Sequence, residues 1–317
     1  MKNNIIIGTR GSQLALWQAR FVAGQLQKSY PELRIEIKII ETTGDARLET
    51  ALSKIGDKGL FTRQIEEKLL NGEIDLAVHS LKDLPTTLPE NLKIGAVLKR
   101  ELPNDVLIAK NYASIDDLPE GAKVATGSLR RRSQLLNYRR DLQIFEIRGN
   151  VPTRIKKFEE SDLDAMILAF AGVHRLELDA KISQIIPTET MIPAVAQGVI
   201  GIEIRENDSE IETLLAQVND ADTNDCVLAE RSFLQTLEGG CQVPIGGFAT
   251  LKGDEINLSG YTGSLNGEFA LRDSTKGNRA DAIMLGRELA ERMIAKGANE
   301  LLGMTRNIVA AMPETVV

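Results

Sequence analysis

The sequence predicts an α/β protein: two doubly wound lobes, each a mostly parallel sheet covered by helices, followed by a small α+β C-terminal domain. Three observations predict it. Short apolar runs alternate with amphipathic stretches from the start, the pattern begins again near residue 104, and hairpin-like segments replace it after about residue 218. A chain of 317 residues also exceeds what a single core serves, so two or three domains are expected.

In the first region "NIIIGT" reads as a strand running into "SQLALWQARFVAGQLQKSY". There Leu14, Trp17, Phe21 and Leu26 fall close to helical spacing, Pro31 stops the helix, and Trp17 is expected in the core. "LRIEIKIIET" is a strand, "LFTRQIEEKLLNGE" a helix closed by Gly72, and "IDLAVHS" a strand with Pro85 soon after it. The second region offers strands at "DVLIAK", "AKVATGS", "LQIFEIRG" and "LDAMILA", with helices at "LRRRSQLLNYRR" and "VPTRIKKFEE". In the third, "TNDCVLAERSFLQTLE" is a helix with Cys226, Ala229, Phe233 and Leu237 along one face, which makes Cys226 a buried core thiol. The turn pairs Lys252-Gly253 and Asn266-Gly267 then fit antiparallel strands, and one helix closes the chain.

Composition narrows the function. Two cysteines are too few for a disulfide framework, and "MKNNIIIGTR" lacks the apolar stretch of a signal peptide, so a reducing cytoplasm is the expected compartment. No apolar run approaches the length of a membrane span. The net charge of −7 argues against a general nucleic-acid or membrane binder. With two histidines, His79 and His174, and no metal-ligand spacing, no metal is expected.

The distribution of charge is less even. Arg130, Arg131, Arg132, Arg139, Arg140, Arg148 and Arg154 face only Asp141 and Glu146 in their stretch, which reads either as a solvated basic face or as an anion site. Two strand-to-helix junctions, "IIIGTRGSQLAL" and "KVATGSLRRRSQLL", resemble each other: each offers Thr, Gly and Ser as a helix opens, with Arg10 or Arg130 and Arg131 beside it. Free N–H groups at a helix start attract anions, although either junction alone is equally a capped helix. Paired arginines favour carboxylate or phosphate, and no Gly-x-x-x-x-Gly-Lys loop is present, so a polycarboxylate ligand is expected. Asp83, in "LKDLP" at a strand end, reads as an acid/base carboxylate or as a turn cap before Pro85. "SKIGDKGLFTRQIE" reads as a basic lid or as a plain surface loop.

Taken together, "IGTRGSQLALWQA", "GDKGLFTRQIEEKLLNGEIDLAVHSLKDLPTTLP", "TGSLRRRSQLL", "RGNVPTR", "LAFAGVHRL", "PAVAQGVIGIE" and "ERSFLQTLEGGCQVPIG" resemble the porphobilinogen deaminase (hydroxymethylbilane synthase) family along essentially the whole chain. The resemblance implies a transferase of tetrapyrrole (haem) biosynthesis that joins four porphobilinogen molecules head to tail and releases ammonia at each step. The chain grows on a dipyrromethane cofactor, and the cysteine that holds it by a thioether matches Cys241. Glycines 239 and 240 leave room for such an adduct, and Pro244 stiffens the loop exit.

The family's catalytic carboxylate matches Asp83. Cofactor binding falls to Lys82, Thr126, Ser128, Arg130, Arg131 and Gln197, substrate binding to Arg10, Ser12, Arg148, Arg154 and Arg175, and the lid to Lys54, Lys58 and Phe61. The family fold has two lobes similar to periplasmic binding proteins. It implies residues 1–98 with 199–217 in the first lobe, 104–193 in the second, and 220–317 in the C-terminal domain. A cytoplasmic monomer acting on porphobilinogen, without nucleic acid or membrane, is the expected form. This sequence departs at Gly127, where the family has Ser, and at Ala196, where it has Gly. A two-lobed anion receptor would share the arginines but need neither Cys241 nor Asp83. An arginine-rich RNA binder lacks support from the acidic net charge.

Overall fold

The computed structural model describes residues 2–42, 62–237 and 243–311. The chain opens with β1 (Asn4–Thr9), α1 (Gln13–Ser29), β2 (Arg34–Ile39), α2 (Arg63–Leu70), β3 (Leu76–Ser80) and β4 (Leu92–Val97). Next come β5 (Asp105–Ala109), β6 (Lys123–Ala125), α3 (Leu129–Tyr138), β7 (Gln143–Phe145), α4 (Val151–Glu159), β8 (Ala165–Ala169), α5 (Phe170–His174) and β9 (Gln184–Ile185). The remainder is β10 (Ile200–Arg205), α6 (Ser209–Leu215), α7 (Ala221–Thr236), β11 (Ile245–Lys252), β12 (Glu255–Gly263), β13 (Ala270–Asn278), α8 (Ala282–Ala295) and α9 (Ala298–Ala311).

Among the described residues the strands form three sheets, in the orders β2-β1-β3-β10-β4, β7-β6-β8-β5-β9 and β11-β12-β13. In the first, β1 runs parallel to β2 and β3, while β10 runs against both its neighbours. The second repeats the scheme: β6 is parallel to β7 and β8, and β5 runs against β8 and β9. The third is antiparallel, and Gly253, at φ 61°, turns β11 into β12 where Lys252 faces Glu255. The fold is thus the predicted α/β class with two doubly wound sheets and a separate α+β region.

Among the described residues the chain forms two compact units, one from residues 2–42, 62–101 and 198–224, the other from 102–197, 225–237 and 243–311. The first unit is centred on Ile5, Ile7, Leu76 and Ile202 of its sheet, packed against Val22 and Leu26 of α1. In the second, neighbouring strand residues serve opposite faces: Leu107 and Val124 pack with Leu135 of α3, Val106 and Ala125 with Phe158 of α4. A further core joins Cys226, Ala229, Phe233 and Leu237 of α7 to Ile256 and Leu258 of β12 and Leu289 and Met293 of α8. Cys226 is therefore the buried core thiol its spacing implied.

Two local expectations need correction, and one strand has no expectation at all. The buried face of α1 is Gln18, Ala19, Val22, Ala23 and Leu26, whereas Trp17 packs against that core only half-buried and Phe21 is 40% exposed. Small Ala19 and Ala23 admit the helix close to the sheet and leave the bulky rings at the rim, where they stack 5.0 Å apart. β4 is a strand that "LKIGAV" does not announce, because Gly95 interrupts it. A Cβ there would stand 2.6 Å from Ile204 and 2.9 Å from Leu215, so only glycine lets these side chains lie on the strand. Among the described residues the last stretch also holds two helices where one is expected, since Gly297, at φ 96°, ends α8 and allows α9 a new direction.

Candidate functional site

In the first unit β1 and β3 are parallel neighbours, with Ile7 beside Leu76, so their C-terminal ends share one edge of the sheet. Ligands of α/β sheets bind outside such edges. Arg10 and Ser12 follow β1. Ser12 Oγ accepts from Ala15 N at 3.2 Å and starts α1, and Gln18 Nε2 donates to Ser80 Oγ at 2.8 Å, tying that helix to the end of β3.

After β3 a single 3₁₀ turn, Leu81–Asp83, carries Lys82 and Asp83. Leu81 is fully buried and anchors the turn, its N–H donating to Val199 O at 3.0 Å. Leu84 N closes the turn on Leu81 O at 3.2 Å. The turn is therefore held by backbone and by an apolar side chain. Asp83 is exposed, and its carboxylate takes part in none of these bonds. The turn-cap alternative has no contact to rest on.

The second unit presents the matching edge, where β6, β7 and β8 end. Ser128 Oγ accepts from Arg131 N at 3.4 Å and starts α3 as Ser12 starts α1, and Thr126 Oγ1 accepts from Ser128 N at 3.2 Å. At both junctions the serine hydroxyl is committed as an acceptor to its own helix. Each hydroxyl keeps its O–H proton, so it remains available as a donor.

Those arginines are buried. Arg130, Arg131, Arg148 and Arg175 are each at most 7% exposed. Arg130 Nη1 donates to Asp105 Oδ2 at 2.7 Å and to Ile192 O at 2.8 Å. Arg131 donates through Nε and Nη2 to Asp105 Oδ1, at 3.0 and 2.8 Å. Gln197 Nε2 donates to the same oxygen at 2.9 Å and to Pro103 O at 2.7 Å. Arg148 pairs with Glu146, and Arg154 Nε donates to Gly149 O at 2.6 Å. Arg130 and Arg148 each keep a buried Nε without a partner. Burial alone pulls the Arg148 guanidinium below its ordinary value.

Within the first unit, then, the structure brings Arg10, Ser12, Lys82 and Asp83 to one sheet edge. Within the second it gathers Arg130, Arg131 and Gln197 around Asp105, with Thr126 and Ser128 at the start of α3 and Arg148, Arg154 and Arg175 after the neighbouring strands. Cys241, Lys54, Lys58 and Phe61 lie outside the described residues. His79 is buried with Nε2 3.0 Å from Glu203 Oε2, and His174 lies 2.8 Å from Asp179 at the surface.

Two residues escape a reading of the sequence. Asp105 is the counter-charge of the arginine pair, and its one signal is an acid at the head of the otherwise apolar "DVLIA". Glu230, fully buried on α7, accepts from Ala196 N at 2.7 Å and from Ala249 N at 2.8 Å. It steadies Ala196, which sits at φ 59°, a conformation that suits the glycine common in the resembled family. At Gly127 a Cβ would stand 3.2 Å from Ile147 O and 3.5 Å from the Arg148 guanidinium carbon, which makes glycine the easier fit here.

A family model described as "Porphobilinogen deaminase, dipyromethane cofactor binding domain" matches residues 5–213, and one described as "Porphobilinogen deaminase, C-terminal domain" matches residues 224–295. The chain is 52% identical over 310 residues to a porphobilinogen deaminase of Chlorobium phaeobacteroides (strain BS1), covering 96% of this chain and 99% of that one. A porphobilinogen deaminase of Chloroherpeton thalassium is 52% identical over 306 residues, 95% of this chain and 98% of its own. Among solved structures, the methionine binding protein MetQ overlays 70% of this chain and 93% of its own at 14% identity and a TM-score of 0.44. Relatives so similar over nearly the full length, joined to the motifs at these strand ends, show that the chain belongs to the porphobilinogen deaminase family.

Proposed function

We propose that this chain performs the family reaction, condensation of porphobilinogen into the linear tetrapyrrole hydroxymethylbilane with release of ammonia, using Asp83 as its acid/base carboxylate and Cys241 to hold the dipyrromethane cofactor. The observation that carries the reading is Asp83 itself. An exposed carboxylate on a turn anchored entirely by other groups, at the C-terminal end of a central parallel strand, does no structural work that accounts for it.

The residues fit the cofactor. Its rings carry carboxylate side chains, and the buried unpartnered Nε groups of Arg130 and Arg148 are donors of the type such groups require. When bound, the cofactor supplies the pyrrole ring to which new units are joined. Lys82, Thr126, Ser128, Arg130, Arg131 and Gln197 bind it; Arg10, Ser12, Arg148, Arg154 and Arg175 orient the acetate and propionate groups of the incoming substrate. The Asp83 carboxylate stabilises the positive charge that develops on the substrate as the carbon–nitrogen bond breaks, and takes up the proton lost afterwards. Lys54, Lys58 and Phe61, outside the described residues, take the role the family resemblance gives them, that of a lid. The working form is a cytoplasmic monomer without nucleic acid, with lobes at 1–98 plus 199–217 and at 104–193 and a C-terminal domain at 220–317.

The intact mass of denatured protein tests this. The wild-type chain is expected to weigh two deaminated pyrrole units more than its sequence, and Cys241→Ser to weigh what its sequence requires and to be inactive. An unmodified wild-type chain that turns over porphobilinogen would remove Cys241 from the mechanism.

A further inference from the structure

Asp105 opens β5 at the edge where β8 ends, paired with Ala169, and it is fully buried. Its two oxygens accept four hydrogen bonds: one from Arg130, two from Arg131 and one from Gln197. Burial on its own would raise this carboxyl, but the two guanidiniums outweigh that cost and hold it far below the usual carboxylate range. The carboxylate is thus ionised at neutral pH. The same Arg130 Nη1 also donates to Ile192 O at 2.8 Å, and the remaining arm of Arg131, Nη1, donates to Ile167 O at 3.0 Å. Two buried positive charges and one negative leave a single positive charge, beside an Arg130 Nε that has no partner.

We propose that Asp105 is a positioning residue of the reaction: it fixes the orientation of Arg130 and Arg131 and cancels one of their two charges, so that the pair meets a ligand carboxylate with one net positive charge. The inference rests on the reading that these arginines face cofactor carboxylates. Its physical sense lies in stepwise synthesis. Two uncompensated guanidiniums would grip each carboxylate hard and in variable geometry, which strengthens binding before and after each step without lowering the barrier between them. A neutralised, preset pair aligns without trapping.

The test is Asp105→Asn in the holoenzyme, since Asn keeps the shape and an acceptor oxygen and removes the charge. Relative to wild type, kcat is expected to fall about tenfold or more with KM for porphobilinogen unchanged or lower, the signature of lost differential binding. Denatured masses should show ring-extended enzyme accumulating, and inhibition by sodium sulfate should strengthen. Adding Arg130→Gln returns the local charge to its wild-type value and should abolish the extra sulfate inhibition. Unaltered sulfate inhibition in Asp105→Asn, or a raised KM at wild-type kcat, overturns the proposal. Should Asp105→Asn not fold, Asp105→Glu decides: wild-type sulfate sensitivity with a lower kcat supports positioning, and wild-type kcat overturns it. Arg148→Leu keeps the two readings apart. If it turns over normally the wider site assignment fails, whereas a stalled Arg148→Leu beside a normal Asp105→Asn sinks the role of Asp105 alone.

Discussion

Replacing Asp83 by Asn separates chemistry from architecture more cleanly than any other change in this chain. The turn that carries Asp83 is closed by Leu84 N on Leu81 O and anchored by buried Leu81, and Asp83 contributes no bond to either. Loss of its charge at an exposed position should therefore alter stability by no more than about 0.5 kcal/mol, a shift in melting temperature of about 1–2 °C. Turnover should respond on another scale. A carboxylate that stabilises the cation formed as ammonia departs, and then accepts a proton, is worth at least about a hundredfold, or about 2.7 kcal/mol of barrier. The assay follows porphobilinogen consumption with Ehrlich's aldehyde reagent and ammonia release in parallel. Enzyme loaded beforehand with preformed hydroxymethylbilane keeps cofactor assembly from limiting the rate, and the denatured mass confirms the adduct. Asp83→Glu should retain part of the activity, because the charge survives at a shifted distance. A melting temperature lowered by more than about 5 °C together with near-normal turnover would refute the reasoning and return Asp83 to the role of a turn residue.

Other expectations follow from named contacts. Gly198 sits at φ 86°, and a Cβ there would come within 2.4 Å of Glu101 O, so Gly198→Ala should cost more than about 2 kcal/mol in urea unfolding; a loss below about 0.5 kcal/mol would contradict the clash. Phe233 is fully buried against Gly247 and Gly260, and Phe233→Ala should destabilise by about 3–5 kcal/mol, read as a lower unfolding midpoint at unchanged slope. Burial first, and after it the nearby charge of Glu203, raises the Glu66 carboxyl above its ordinary value. The folded state then keeps this proton to higher pH than the unfolded chain does. Its contribution is present below the unfolded value and fades as pH rises through the folded one. Glu66→Gln should remove that loss, narrowing the stability difference between pH 5 and pH 8, and an unchanged difference would argue against it.

The parts of the fold set by local pattern were legible in the sequence, and those set by distant partners were not. The strand at "IDLAVHS" and the helix bearing Cys226, Ala229, Phe233 and Leu237 announce themselves through the spacing of apolar residues. β4 does not, because Gly95 makes sense only against Ile204 and Leu215, more than a hundred positions later. The face of α1 misleads because size decided it: Ala19 and Ala23 pack inward, and the more hydrophobic Phe21 stays at the rim. The arginines of the candidate site stand out as a charge run, but nothing in their own stretch names Asp105, which reaches them from β5, separated from β6 by β8. Ser12 and Ser128 were visible as polar groups at helix starts. That their hydroxyls are already engaged as caps is a fact of geometry alone.

The two reversed strands, β10 and β5, bear on how the protein is made. The two differ in origin: β5 opens the same stretch of chain that supplies the rest of the second sheet, whereas β10 enters between β3 and β4 only after the whole second sheet has been spelled out. A nascent chain emerging from the ribosome therefore cannot finish its first sheet until residues 200–205 arrive, and until then β3 and β4 have an open lane between them, with unpaired N–H and C=O groups along both borders. The second sheet has its full set of strands once β9 appears, although it begins later. Order of completion thus inverts order of synthesis. A fragment ending near residue 98 is a sheet with its fourth lane missing, and it should bind chaperones or aggregate where the complete chain does not.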